Sequence, residues 1–381
     1  MTTAHASSLP KRVRTASPGR IEFIGNHTDY NGGQVLGVAL NLQVRVTAEA
    51  RADDHLLFTS EGQAAAYAGT LGGVARQDGP LAWANYPLGV LHVLREAGYP
   101  LHTGFTLAFS SDLPAGAGLS SSAAIELATL EAVCALSGLQ LDDRDKVLLA
   151  QRAENTFVGV PCGMLDQAVS CHGRRDHLVR IDCARTEFTT VPLPPGLHFW
   201  VFNTNHKHSL VDSLYARRHA ECREALALLQ PHAPGLAHLA HAPAAALDRL
   251  DADSVPARRA RHVAGEHQRV LRCAAALARG DLGAVGDLLF ESHESSRRLF
   301  ENSIPELDTF VGLLAGLRGR GVVGARLTGG GFGGAVMALT TGDFTAQLAA
   351  AVLDGYRARH PQAEAPACLH VTTGDGTRRI A

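Results

Sequence analysis

A glycine-rich run, GGGFGG at residues 329–334, is followed directly by AVMAL, and that succession narrows the folds open to this chain. The run formally fits G-x-G-x-x-G, but a dinucleotide fold needs a helix after the glycines. AVMAL reads as a strand, so the run is a tight strand–turn–strand, where glycine suits a sharp reversal. Elsewhere strands and helices mix without a regular βαβ repeat, which makes the class α+β. Residues 20–24 read as a strand ending at Gly25, followed by a polar loop over 27–33 and one or two strands over 35–50. An amphipathic helix over 86–97 stops at Gly98 and Pro100. A short strand covers 105–109, and a helix over 123–137 is closed by Gly138. Pro192, Pro194, Pro195 and Gly196 interrupt the pattern and suggest a boundary between domains 1–193 and 194–381. Beyond it come a strand over 199–203, a helical region over 213–317, the strand–turn–strand over 325–339, a helix over 345–359 and a final strand over 368–373. No repeat of about 20–50 residues is present.

Composition removes several functional classes. The chain has 381 residues, 46% of them apolar, and a formal charge of -2, so it carries no basic footprint for nucleic acid or a membrane surface. No run of about 18 apolar residues appears, and residues 1–14 lack the apolar core of a signal peptide. Seven scattered cysteines fit reduced thiols, so a cytoplasmic location is expected. Cys162, Cys171 and Cys183, with His172 and His177, match no compact zinc spacing. The lysines are Lys11, Lys146 and Lys207, and none follows a glycine, so a Walker P-loop is excluded. The protein-kinase motifs V-A-I-K and H-R-D are absent as well. A nucleotide site here must be built without those lysines.

Three places could carry chemistry. LPAGAGLSSS, residues 113–122, joins small residues to three serines at the start of a helix. Unpaired N–H groups and the helix dipole there favour an anion, and serine hydroxyls can reach a bound Mg2+. The same pattern also describes a loop with an ordinary serine N-cap. Arg20 precedes Asn26, His27, Asp29 and Asn31, a polar cluster suited to the directional hydroxyls of a sugar, or to a surface turn. Asp166 stands in the apolar, small-residue stretch GVPCGMLDQAVS, as a base held ionised by an arginine or as a helix cap.

Together these segments resemble the galactokinase branch of the GHMP kinase superfamily. PGRIEFIGNHTDYNGG (residues 18–33) is similar to its sugar signature, LPAGAGLSSSAA (113–124) to its phosphate loop, and LTGGGFGGAVMAL (327–339) to its C-terminal glycine motif. AWANYPLGV (82–90), GVPCGMLDQ, NTNHKHSL, SLYARRHAEC and ESHESSRRLFENSIPELD (291–308) extend the likeness from Pro18 onward. The resemblance implies a two-domain GHMP kinase fold, with a ribosomal-protein-S5-like N-terminal domain, a ferredoxin-like C-terminal domain and the active site in the cleft between them. It implies ATP and Mg2+, a galactose-like sugar phosphorylated at its anomeric hydroxyl, and a monomer or weak dimer. Asp166 would be the base and Arg20 its partner. Glu22, Asn26, His27, Asp29, Gly163 and Tyr215 would bind the sugar. Trp83 and Tyr86 would flank adenine. Gly116, Ala117, Gly118, Leu119, Ser120, Ser121 and Ser122 would hold the phosphates, and Ser121 or Ser122 with Glu154 the Mg2+.

The chain departs from the family pattern G-R-V-N-L-I-G-E-H-T-D at two sites. Glu22 stands where Asn is usual, and Asn26 where Glu is usual. The family's Glu binds a sugar hydroxyl away from the anomeric centre. Positions 22 and 26 share a face if the strand stays extended, so Glu22 is expected to replace the lost carboxylate in part. Gly37 also replaces a usual Pro. Kinases for N-acetylgalactosamine, a uronic acid or arabinose, and a non-catalytic sugar sensor, are the alternatives. A uronate kinase should show a second cation near the sugar.

Overall fold

The computed structural model describes residues 9–114, 116–205 and 211–381, apart from the side chains of residues 211–213. Part of the NTNHKHSL segment therefore lies outside the described residues. The first sheet is built from β1 (Arg12–Ile24), β2 (Gln34–Ala50), β3 (His55–Ser60), β4 (Tyr67–Thr70), β5 (Phe105–Ser111), β6 (His177–Asp182) and β7 (Glu187–Pro192). Its central path runs β1-β2-β5-β3-β4, with β6 pairing β2 and β7. All of these pairs are antiparallel except β3 with β5. The second sheet contains β8 (His198–Asn203), β9 (Val322–Thr328), β10 (Ala335–Thr340) and β11 (Ala367–Val371), in the antiparallel order β11-β8-β10-β9. The strand expected to be final is followed by another, β12 (Arg378–Ile380), which pairs with β1 in the first sheet.

The helices of the first half are α1 (Asn85–Glu96), α2 (Ser121–Ser137), α3 (Asp143–Arg152) and α4 (Leu165–His172). Those of the second half are α5 (Val211–Leu229), α6 (Ala244–Leu247), α7 (Val255–Ala278), α8 (Leu282–Ser295), α9 (Pro305–Ala315) and α10 (Ala346–Arg359). Local signals set several ends. Gly138 closes α2 in the left-handed region, at φ 68°. Ser254, Asp281 and Thr345 cap α7, α8 and α10 through their side-chain oxygens.

The second sheet is buried on both faces, and the alternation along its strands shows how. Phe199 and Val201 of β8, and Met337 and Leu339 of β10, join a core shared with the first sheet and with α1 and α2. Phe202, Val336 and Ala338 point the other way, into a core closed by α9 and α10. Phe23 of β1 meets Phe199 edge-on, with ring centroids 6.2 Å apart. The two sheets are thus joined by continuous apolar packing, and burying each such phenylalanine contributes about 1.5–3 kcal/mol.

Candidate active site

Two cavities meet at Arg20. The smaller, about 230 Å3, is lined by Glu22, Asn26, His27, Asp29, Cys162, Gly163, Asp166 and Tyr215, among others. The larger, about 570 Å3, lies between residues 113–122 and 328–334 and also receives Tyr86. Arg20, Gly329 and Gly330 border both. Among the described residues, the side chain with a carboxylate partner at this junction is Arg20 itself. Its Nε donates to Asp166 Oδ1 at 2.6 Å and its Nη2 to Oδ2 at 2.7 Å. This fork is the strong, geometrically specific form of an ion pair.

Local structure makes the fork possible. The β1–β2 register slips between Pro18 and Arg20, which turns Arg20 inward. A Cβ on Gly19 would lie 2.4 Å from Leu113 Cδ2, so glycine lets the phosphate loop sit against the strand. Arg20 then anchors that loop, with its N–H on Leu119 O at 3.0 Å and Nη1 on Gly118 O at 2.8 Å. Asp166, in the first turn of α4, also accepts from the Ser120 hydroxyl. Ser120 is held at φ 55°, a conformation that disfavours a side chain by about 1–2 kcal/mol.

In the smaller cavity, Gly163 permits Asp29 to enter. A Cβ there would stand 1.8 Å from Asp29 Oδ2. Burial and the neighbouring Glu22 push the Asp29 carboxyl up to about 7. Burial instead drives His27 well below its usual value, so the ring is neutral. Its Nε2 lies 3.0 Å from Gly330 O, an acceptor, and must carry the hydrogen. Its Nδ1 therefore accepts from the Tyr30 hydroxyl, 2.9 Å away. Phe300 stacks on the same ring at 4.3 Å, and Tyr215 stands 5.3 Å from it.

Glu22 and Asn26 do share a face, although β1 ends between them. Asn26 Nδ2 donates to Glu22 Oε1 at 3.0 Å and to Gly329 O at 2.8 Å. Its Oδ1 accepts from Asn302 at 2.9 Å and Ser296 at 3.2 Å. The amide is thereby saturated by protein, and it borders the cavity without a free hydrogen. Glu22 remains as the carboxylate, paired at 2.9 Å with the fully buried Arg326. Burial raises the Glu22 carboxyl, against the opposing pull of Arg326 and Arg20.

On the phosphate side, the N-terminus of α2 opens into the larger cavity, with Ser121 and Ser122 in its first turn. Glu154, in a π-helical turn over 153–158, is pushed up to about 7 by burial and by Asp166. The Ser122 hydroxyl and Gln167, at 2.6 Å, hydrogen-bond its carboxylate. Among the described residues no three His, Cys, Asp or Glu side chains form a metal-binding group. Two protein oxygens such as Ser122 and Glu154 nevertheless suit Mg2+, which keeps waters and substrate phosphates as its other ligands.

Trp83 does not line either cavity. It packs edge-on against Phe109, its Nε1 donates to Ala65 O at 3.3 Å, and it lies half-buried against the first core. Tyr86, one helical turn on, does reach the larger cavity. Sequence reasoning passed over Arg326, Gln167 and Phe300. Arg326 lies three residues before the glycine run, just outside the motif quoted over 327–339, and Gln167 directly follows Asp166 in GVPCGMLDQ, so closeness to those motifs is the available signal. Phe300 also lies in a quoted segment, 291–308, but its contact with His27 is formed only by the fold.

Comparison with known proteins follows the same geometry. Residues 4–50 match the galactokinase galactose-binding signature, residues 85–174 the GHMP kinase N-terminal domain, and residues 273–358 the GHMP kinase C-terminal domain. The chain is 39% identical over 359 residues to a galactokinase of Chloroflexus aurantiacus, covering 92% of this chain and 89% of the relative. It is 39% identical over 354 residues to a galactokinase of Canis lupus familiaris, covering 90% and 88%. The crystal structure of Lactococcus lactis galactokinase complexed with galactose superposes with a TM-score of 0.91 at 31% identity, covering 98% of this chain and 96% of that one. A Leishmania (L. major) mevalonate kinase, at 18% identity and a TM-score of 0.65 over 97% and 98% of the two chains, shares the fold alone.

Proposed function

The chain belongs to the galactokinase family of GHMP kinases and phosphorylates galactose with ATP, and from that premise we propose how its own residues divide the work. The observation that carries the proposal is the Arg20–Asp166 fork, in which Arg20 borders both cavities and Asp166 lines the smaller. Galactose occupies the smaller cavity with its anomeric hydroxyl toward Asp166. The phosphates of ATP lie in the larger one, on the N–H groups that open α2. Asp166 accepts the proton as the sugar oxygen bonds to the γ-phosphorus, and the bond to ADP breaks. Arg20 holds the carboxylate in place through the fork and offsets charge on the transferring group. Ser122, Ser121 and Glu154 would hold Mg2+. That cation would neutralise charge between the β- and γ-phosphates.

The walls of the smaller cavity favour a neutral sugar. Glu22, Asp29, Glu154 and Asp166 face it, and Arg20 is committed to Asp166. The second cation nearby, Arg326, is committed to Glu22 and does not line the cavity. ADP release with galactose, N-acetylgalactosamine, arabinose and galacturonate tests this reading. Galactose should be used and galacturonate should not, and turnover with galacturonate would overturn it.

Two further outcomes are expected. Glu22→Gln should raise the KM for galactose by about tenfold, since a hydrogen bond to a charged group contributes about 1.5–3 kcal/mol, part of which the amide keeps. An unchanged KM would mean that Glu22 serves only Arg326. Galactose affinity should also depend on pH. The Asp29 carboxyl is raised to about 7 and is protonated below that value, so it loses acceptor strength as pH falls. The dissociation constant, by calorimetry without ATP, should rise by up to about tenfold per pH unit below 7. Asp29→Asn should flatten that rise and bind weakly throughout.

A further inference from the structure

Three alternate residues of the phosphate loop take left-handed backbone angles: Gly116 at φ 71°, Gly118 at φ 68° and Ser120 at φ 55°. Two of the three are glycine, as the conformation favours. The third carries a side chain despite the strain, and that side chain has a partner. Its hydroxyl donates to Asp166 Oδ2, which already accepts from Arg20 Nη2 at 2.7 Å. Oδ1 accepts from Arg20 Nε at 2.6 Å and, among the described residues, has no other hydrogen-bond donor. The two oxygens of the base are therefore unequal.

We propose that Ser120 is a positioning residue whose hydroxyl occupies Asp166 Oδ2, so that Oδ1 is the oxygen that takes the proton from the sugar. The inference rests on the reading of Asp166 as the base. In the step, the anomeric O–H bond breaks and its proton passes to Oδ1. The freed electron pair forms the bond to the γ-phosphorus, and the bridging P–O pair leaves with ADP. A serine hydroxyl has one hydrogen, so one donated to Asp166 is withheld from ATP. Phosphate binding then falls to the backbone N–H groups and to Ser121, because the Ser122 hydrogen is on Glu154. Ser120 would sit in the phosphate loop while serving the other substrate. Arg20 supports the arrangement from both sides, because it holds Gly118 O of the loop and both oxygens of Asp166.

Three variants of the full chain test this. Ser120→Gly and Ser120→Ala both remove the hydroxyl, but glycine relieves the backbone strain and alanine keeps it. Ser120→Thr keeps the hydroxyl and adds a β-branch, which fits a left-handed residue poorly. ADP release at saturating galactose and ATP should fall by about 10- to 100-fold in both the Gly and the Ala variant. The calorimetric dissociation constant for ATP should stay within about twofold of the parent in each. The Thr variant should keep turnover within about threefold while melting below the Gly variant. Stability and activity would then run in opposite orders, which a merely structural role does not produce. The inference is overturned if the Gly variant binds ATP more weakly and keeps its turnover, because Ser120 would then be a phosphate ligand. It is equally overturned if the Gly variant turns over like the parent and the Ala variant does not. Asp166→Asn is measured alongside, and parental turnover in that variant would sink the base reading itself, whatever the serine variants do.

Discussion

Asp166→Asn is expected to reduce kcat by between about a hundredfold and ten-thousandfold, the range a positioned general base supplies. The amide matches the carboxylate in shape but cannot accept the proton. It also leaves Arg20, which is 6% exposed, without its counter-charge. Substrate affinities should change far less, because Asp166 is one of many residues lining the smaller cavity and does not line the larger. Calorimetry for galactose and ATP, beside ADP release, separates the two effects. A kcat within about tenfold of the parent would show that the hydroxyl loses its proton without help from a base.

The second large effect is on stability. Arg326→Leu should destabilise the fold by about 3–5 kcal/mol, the penalty for removing one partner of a buried ion pair. Arg326 is fully buried, and the buried Glu22 beside it would lose its ion-pair partner and keep, among the described residues, Asn26 as its side-chain hydrogen-bond donor. Equilibrium denaturation in urea gives the loss directly. Pairing Arg326→Leu with Glu22→Leu should recover part of it, since two apolar groups leave no unpaired charge. A single variant as stable as the parent would mean that water reaches Glu22.

Much of the fold was legible because its punctuation is local. Gly138 ends a helix, Thr345 begins one, and the run over 329–334 turns one strand into the next. The opposing burial of β8 was not legible, because a strand covered on both faces looks the same from sequence whichever side each residue faces. β12 escaped notice for a related reason. It is three residues long and gains its identity from β1. At the site, the motifs placed Arg20, Asp166, Asp29 and His27 in one small region, and the structure brings them together. Trp83 lies half-buried against the first core and outside both cavity linings, a difference in placement that one letter does not carry. Asn26 was read as a sugar ligand, but its hydrogens are spent on Glu22 and Gly329. The Glu22–Asn26 exchange reads in sequence as two departures. In the structure it is one hydrogen-bonded pair with its charged end on the strand.

The pairing of β12 with β1 also sets an order of events during synthesis. β1 precedes every other element described here, and one edge of it can be covered by β2 soon after it is made. Its other edge waits for residues 378–380, which are made after every other element described here. Until then the nascent first sheet displays an unpaired strand edge to its surroundings, a surface prone to recruiting other chains. Synthesis of residues 378–380, and not the formation of the cleft, would be the moment at which that stretch of edge is covered.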